Sequence, residues 1–343
     1  MPQIAHTAEL ADVLLISADS HVIEPVELWE DLLPAGFWGD APKTFSQRPG
    51  GFDPKARVDE MATDRVSAEV LYPSLGLKLF ALEDPALQES CFALYNDWLA
   101  EYCAAADAQL VGIGSVSAYE IDHAVEEARR CAGLGLRGIQ VWQTPHPDLP
   151  FTSAHYDPLW AVCSELGMPV SLHILSGFDY SRDIYRQGQN LVEQGIEMFR
   201  LSINLKLQAT MESLMAIMLS GALDRFPELQ LVLVENEVAW LPFVVDQMDY
   251  YYQRFQTRTP LALSRLPSQC FADQVHATFF RDPNVAIVVD RFGAGNVLWS
   301  SDYPHGNSTW PDSQKVVAEK LGRLEPALLE QVTSTNCKTL YRM

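Results

Sequence analysis

Short apolar runs of strand length alternate along this chain with longer stretches of amphipathic, helical spacing. The runs fall near residues 13–18, 67–72, 109–116, 137–142, 168–173, 230–235, 276–280 and 297–301. Helix-length segments lie between them, at 85–106, 121–134, 158–166, 208–225, 239–256 and 283–292. In the second of these, Ala124, Val125, Ala128, Cys131 and Ala132 recur every three or four residues, the spacing of a helix packed on a sheet. Gly133, Gly135 and Gly138 around Leu136 mark its stop and the start of a close-packed strand. Alternation of this kind predicts repeated βα units around a parallel sheet, and eight strands is the barrel number.

Three stretches exceed a simple βα unit. Residues 22–66, rich in Pro, Gly and Trp, read as an irregular excursion after the first strand. Residues 144–157 and 174–207 read as long loops over the active face, where such loops shape a substrate pocket. Residues 325–343 read as a final helix packed on the outside of the barrel. No repeat, low-complexity tract or linker divides the chain, so one domain over residues 1–343 is expected.

Composition narrows the function classes. With 343 residues, 48% of them hydrophobic, the chain can bury one large core. Its 45 acidic and 24 basic residues give a net charge of −21 with no Lys/Arg-rich run, which argues against a nucleic-acid or anionic-membrane partner. An anionic substrate would then need Arg or Lys placed in the pocket itself. Six scattered cysteines without CxxC spacing read as reduced thiols in the cytoplasm. No leader pattern opens the chain, and no apolar run reaches the roughly 18 residues of a membrane span.

Candidate chemistry collects at the strand ends. The first run closes on Asp19 and His21, and residues two apart on a strand share a face, so the two can bind one ion together. The fifth run closes on His173 and the eighth on Asp302. A single strand-end His is usually packing. Placement of all four at the carboxyl ends of strands points instead to a catalytic divalent metal with an open position.

These residues carry a family resemblance. The segments ADSHVIEP (18–25), YNDWLAEYC (95–103), GLRGIQV (135–141), YDPLWAVCSELGMPVSLH (156–173), SGALDRFPELQLVLVENEVAWLPF (220–243), LWSSDYPH (298–305) and TNCKTLY (335–341) resemble the metal-dependent amidohydrolase superfamily. The branch is the one related to aminocarboxymuconate semialdehyde decarboxylase. The resemblance implies a distorted (β/α)8 TIM barrel with long loops over its C-terminal face. It also implies one zinc or manganese ion per chain, held by Asp19, His21, His173 and Asp302. Binuclear members carry a carboxylated lysine on strand four; here that strand reads Arg137 to Trp142 without a Lys, which implies a mononuclear site. Relatives that decarboxylate acids typically end strand six in a His, whereas this chain has Glu235, a general base, ligand-orienting group or ion-pair partner. Asp19 also stands where many relatives have the first His of a His-x-His pair.

The leading expectation from sequence is a hydrolase of a small, cyclic or aromatic carbonyl compound. Water activated by the metal would attack, with Asp302 as general base, a scheme that needs no strand-six His. The alternative is a non-oxidative decarboxylase of an aromatic or unsaturated acid, with Asp302 as proton donor. A barrel that binds a ligand without catalysis is the third reading. His305 is expected to hydrogen-bond substrate, Trp142 and Tyr303 to contact it, and Arg182, Arg186 or Arg200 to hold an acid group. The apolar stretch 240–245 and nearby helices could support a homodimer.

Overall fold

A computed structural model describes residues 13–39, 41, 48–106, 109–178, 191–258, 261 and 263–343. Eight strands pair in sequence order, every neighbour parallel. They are β1 (Leu15–Val22), β2 (Val66–Pro73), β3 (Leu110–Ser115), β4 (Gly138–Val141), β5 (Val170–His173), β6 (Leu231–Val234), β7 (Val275–Phe279) and β8 (Val297–Trp299). Nearly every strand residue is buried, as it must be where a parallel sheet is covered on both faces. The residues after β8 return to β1: Asp302 N–H donates to Asp19 O at 3.0 Å and His21 N–H to Tyr303 O at 2.6 Å. The barrel therefore closes at the level of Asp19, His21 and Asp302.

The helices are α1 (Pro54–Asp64), α2 (Pro85–Ala104), α3 (Ile121–Gly133), α4 (Asp157–Leu166), α5 (Leu191–Asn204), α6 (Thr210–Leu219), α7 (Ala222–Arg225), α8 (Leu241–Phe255), α9 (Pro267–Gln274), α10 (Val285–Phe292), α11 (Ser313–Leu321), α12 (Pro326–Glu330) and α13 (Asn336–Tyr341). Four of them, α1, α5, α9 and α11, lie where the apolar spacing predicted none. The excursion 22–66 ends in α1, capped by Asp53, whose side chain accepts from Lys55 N and Ala56 N, with Pro54 in the first turn. The stretch 174–207 holds α5, which runs through a wide turn, Leu205–Ala209, straight into α6. Helix α3 lies hard against β3: a Cβ on Gly114 would stand 2.6 Å from Cys131 Sγ.

The chain's end corrects the sequence expectation. Cys337, Leu340 and Tyr341 join the barrel's interior cluster with Ile16, Val70, Tyr72, Ile113, Val232 and Leu298. Tyr341 Oη lies 3.3 Å from Tyr72 Oη, which in turn lies 2.9 Å from Ser171 Oγ on β5. Arg137, just before β4, donates to Tyr341 O. Helix α13 thus plugs the N-terminal mouth of the barrel instead of lying on its outer wall. An open end would leave the apolar interior facing water, and burying it against Tyr341 removes that cost.

Candidate active site

Four side chains with no exposed surface converge at the C-terminal mouth: Asp19 and His21 from β1, His173 from β5 and Asp302 after β8. His21 Nδ1 lies 2.9 Å from Pro73 O and His173 Nδ1 lies 2.7 Å from Ile174 O. A carbonyl only accepts, so each Nδ1 carries the proton and each Nε2 turns a lone pair inward. The two Nε2 atoms are 3.3 Å apart. His21 Nε2 is 3.5 Å from Asp19 Oδ1 and 3.6 Å from Asp302 Oδ1, and His173 Nε2 is 3.7 Å from Asp19 Oδ1. Ligand bonds of about 2.1 Å in a tetrahedron would set ligand atoms roughly 3.4 Å apart.

Both Asp19 oxygens and Asp302 Oδ2 are buried without a hydrogen-bond donor. Buried anionic oxygens are costly unless something positive meets them. The residues fit a divalent cation, and Asp19, His21 and His173 form a group able to hold one ion. In β4, Gln140 donates to Ser115 Oγ at 2.8 Å, and no lysine stands there to bridge a second ion.

Charge around the cluster is arranged to the same end. Burial, aided by the neighbouring His305 and His173, holds His21 well below the usual imidazole range, in its neutral ligand form. Burial also disfavours charge on His173, but the Asp19 carboxylate outweighs it and raises the pKa. A cation at that spot would feel the same attraction. The ring of His305 stacks on His21 with centroids 4.0 Å apart. Its Nδ1 lies 2.9 Å from Asp302 Oδ1, and its Nε2 lies 3.0 Å from Ser74 Oγ. Although burial opposes it, the carboxylates of Asp302, Glu235 and Asp19 raise the His305 pKa.

Glu235 ends β6 with a left-handed backbone, φ +62°, as does Asp302 with φ +57°. Non-glycine residues in this conformation are uncommon and cluster at functional faces. Burial and the Asp302 charge raise the Glu235 carboxyl to about 7, against the pull of Lys206 and His173. Lys206, in the wide turn between α5 and α6, donates to Glu235 O at 3.0 Å and lies 3.5 Å from Glu235 Oε1.

Beneath His21 sits a group that sequence reasoning missed. Arg57 of α1 pairs with Glu69 of β2 at 2.5 Å, both buried, and donates to His21 O at 2.6 Å. The guanidinium therefore fixes the main chain of a residue in the cluster. The Asp53-Pro54 helix start was the available signal for α1, but nothing in the sequence marks which of its residues reaches β1.

The expected substrate contacts fare differently. Trp142 is fully buried, donating Nε1–H to Tyr156 Oη at 3.0 Å, with Tyr119 edge-on at 4.8 Å. Tyr303 is buried too: its hydroxyl donates to Glu60 and its ring lies under Arg57. Both side chains are committed to packing, because aromatics at strand ends fill the space between barrel and loops. Arg200 is exposed and pairs with Glu197 on its own helix. Arg182 and Arg186 lie outside the described residues.

An eight-stranded parallel barrel with a His/Asp cluster at its C-terminal mouth defines the class of metal-dependent barrel enzymes. The amidohydrolase family model matches residues 16–343, and the chain belongs to that family. Among solved structures, it is similar to a 2,6-dihydroxybenzoate decarboxylase complexed with 2,6-dihydroxybenzoate, at 20% identity and TM-score 0.75, covering 96% of this chain and 100% of that one. An amidohydrolase from Mycobacterium avium subsp. paratuberculosis matches at 17% identity and TM-score 0.79, covering 96% and 100%. A dihydroxybenzoic acid decarboxylase from a Polaromonas species, with bound manganese and the inhibitor 2-nitroresorcinol, matches at 19% and 0.75, covering 96% and 97%.

Proposed function

We propose that this protein is a metal-dependent, non-oxidative decarboxylase of a small aromatic or unsaturated carboxylic acid. This reverses the order expected from sequence, in which hydrolysis came first. The observation that carries it is the Asp302–His305–Ser74 chain, with contacts of 2.9 and 3.0 Å leading from the buried cluster toward the partly exposed side of His305. Decarboxylation replaces a C–CO2 bond by a C–H bond, so it needs a proton donor that can be refilled. Decarboxylases of hydroxylated benzoates among the similar structures, one of them with bound manganese, support the same reading.

Asp19, His21, His173 and Asp302 would hold a divalent ion, which would supply Lewis-acid polarisation and orient the acid's oxygens. Protonated Asp302 gives its proton to the carbon bearing the carboxylate. The carbon–carbon bond then breaks, its electron pair restores the unsaturated system, and CO2 leaves. His305 returns a proton to Asp302, and solvent at the exposed edge of its own ring restores His305. Glu235, beside Lys206, favours the protonated form of His305 when it is ionised, above its raised pKa of about 7. Arg182 and Arg186 remain the proposed holders of a second acidic or phenolic group.

One domain over residues 1–343 is part of this reading, supported by the extent of the family match. The net charge of −21 supports a small molecule rather than nucleic acid or an anionic membrane as partner, and among the described residues no helix is long and apolar enough to cross a membrane. Six buried free thiols support a reducing compartment, the cytoplasm.

The test uses protein loaded with manganese or zinc and a panel of hydroxybenzoates in D2O, following CO2 release and deuterium at the vacated carbon. Release of CO2 with one deuterium incorporated per turnover is expected. Turnover confined to esters, lactones or amides, without CO2, would restore the hydrolase reading that Glu235 at the end of β6 still favours.

A further inference from the structure

Where β1 and β2 leave the barrel, Glu24 after the one faces residues 73–76 at the end of the other. Its Oε2 accepts from Ser74 N at 3.1 Å and Leu75 N at 3.0 Å, and its Oε1 accepts from Gly76 N at 2.9 Å. These N–H groups open a 3-10 turn, Gly76–Ala81, whose own cap, Leu75, has no side chain that could take them. Glycine suits the close approach, since a Cβ on Gly76 would stand 2.9 Å from Glu24 Oε1. Glu24 is 2% exposed and, among the described residues, has no ion pair. Burial pushes its carboxyl up to about 7, against the pull of the N–H groups. As a cap for one short turn, a buried carboxylate without a cation is a costly choice.

What Glu24 holds faces the cluster. Pro73 O, directly before the anchored N–H groups, is the acceptor of His21 Nδ1 at 2.9 Å. Ser74 Oγ, among them, lies 3.0 Å from His305 Nε2. The two imidazoles stack on each other, so one carboxylate bears on both rings through consecutive residues. His173 supplies the contrast. Its Nδ1 partner, Ile174 O, belongs to the next residue and needs no remote support. His21 borrows its partner from another strand, and Glu24 fixes where the end of that strand lies.

We propose that Glu24 is a positioning residue for the mouth of the barrel: by anchoring residues 73–76 it sets the Nδ1–H tautomer of His21 and the place of the His305 ring. The first effect bears on ion binding and is independent of the reaction; the second rests on the proton relay of the proposed decarboxylase. The role demands a carboxylate. Two oxygens without hydrogens can accept three N–H donors, whereas glutamine turns one end into a donor and sets it against a main-chain N–H.

The deciding test needs no substrate. In the ion-free full chain with 15N-labelled histidine rings, His21 and His173 should both be protonated at Nδ1 and bare at Nε2. Glu24→Gln should give His21 a mixed or reversed pattern and leave His173 as it was. Manganese or zinc affinity, by chelator competition, should fall about tenfold, as for other groups that orient ligands. Gly76→Ala presses on the carboxylate without removing its charge, and it should shift the same His21 signals if Glu24→Gln does not fold. Ser74→Ala separates the two effects: it keeps Pro73 and the main-chain donors, so the His21 pattern and the metal affinity should stay native while kcat falls. A less stable Glu24→Gln protein with the native His21 pattern and metal affinity would make Glu24 a cap and nothing more, and would overturn the proposal. So would a loss of affinity with the His21 tautomer unchanged, or native His21 signals in Gly76→Ala where that variant is the one read. Absence of CO2 release from every acid counts against the decarboxylase reading, and the His21 signals, read without substrate, still decide this one.

Discussion

His21 and His173 each commit one ring nitrogen to a main-chain carbonyl, so their ligating lone pairs are aimed before any ion arrives. Loss of either His, or of Asp19, should lower metal affinity about tenfold or more, read by chelator competition and elemental analysis, with activity lost alongside. Asp302→Asn is expected to behave differently. It keeps an oxygen for the ion but loses the proton donor, so metal content should fall much less than the rate; full turnover in this variant would remove Asp302 from the chemistry. The four cluster residues were legible because each ends an apolar run at a position where side chains must point inward. Arg57 and Lys206 were not, because their reach depends on where a helix crosses the barrel. The burial of Trp142 and Tyr303 against protein partners was not legible for a related reason: an aromatic at a strand end looks the same in sequence whether it faces a ligand or a loop.

Helix α1 shows how an element that escaped the apolar pattern is fixed in place. Its last residue, Asp64, accepts from Ser313 N at 2.9 Å and Ser313 Oγ at 2.5 Å, tying α1 to the start of α11. Burial raises this carboxyl from 3.8 to about 6, against those two hydrogen bonds. Its folded value lies above the unfolded one, so the folded state holds the extra proton between about pH 4 and 6. The contribution to stability is complete below pH 4 and is lost as the pH rises toward 6, by up to about 3 kcal/mol. Asp64→Asn should therefore flatten the pH dependence, closing on and overtaking the wild type above pH 6 in urea unfolding. The βα repeat was readable because every strand is a buried apolar run. Helices α1, α9 and α11 were not, because polar residues dominate them and Pro54, Pro267 and Pro311 were the better signal; α5 escapes although Ile196, Phe199 and Ile203 recur at helical spacing, because residues 174–207 read as one long loop.

At the scale of the molecule the barrel has two unlike ends, one polar and ligating, the other stoppered by α13. Tyr341→Ala should cost about 3 to 5 kcal/mol, the usual range for emptying a large buried side chain, yet lower metal affinity far less than loss of a cluster residue, since Tyr341 reaches the cluster only through Tyr72, whose ring lies 5.3 Å from that of His173. Equal loss of both would show that the two ends are coupled. Sequence marked α13 as a helix but not its destination, because an apolar face is the same whether it covers a wall or fills a mouth. The stopper also sets an order of events during synthesis. Residues 336–341 meet partners more than two hundred positions earlier, so the nascent chain can pair its first strands on the ribosome but has no finished interior to bury. Until that segment emerges, the lower half of the barrel has no apolar partner to cover it, so completion of the interior is expected to come late in folding.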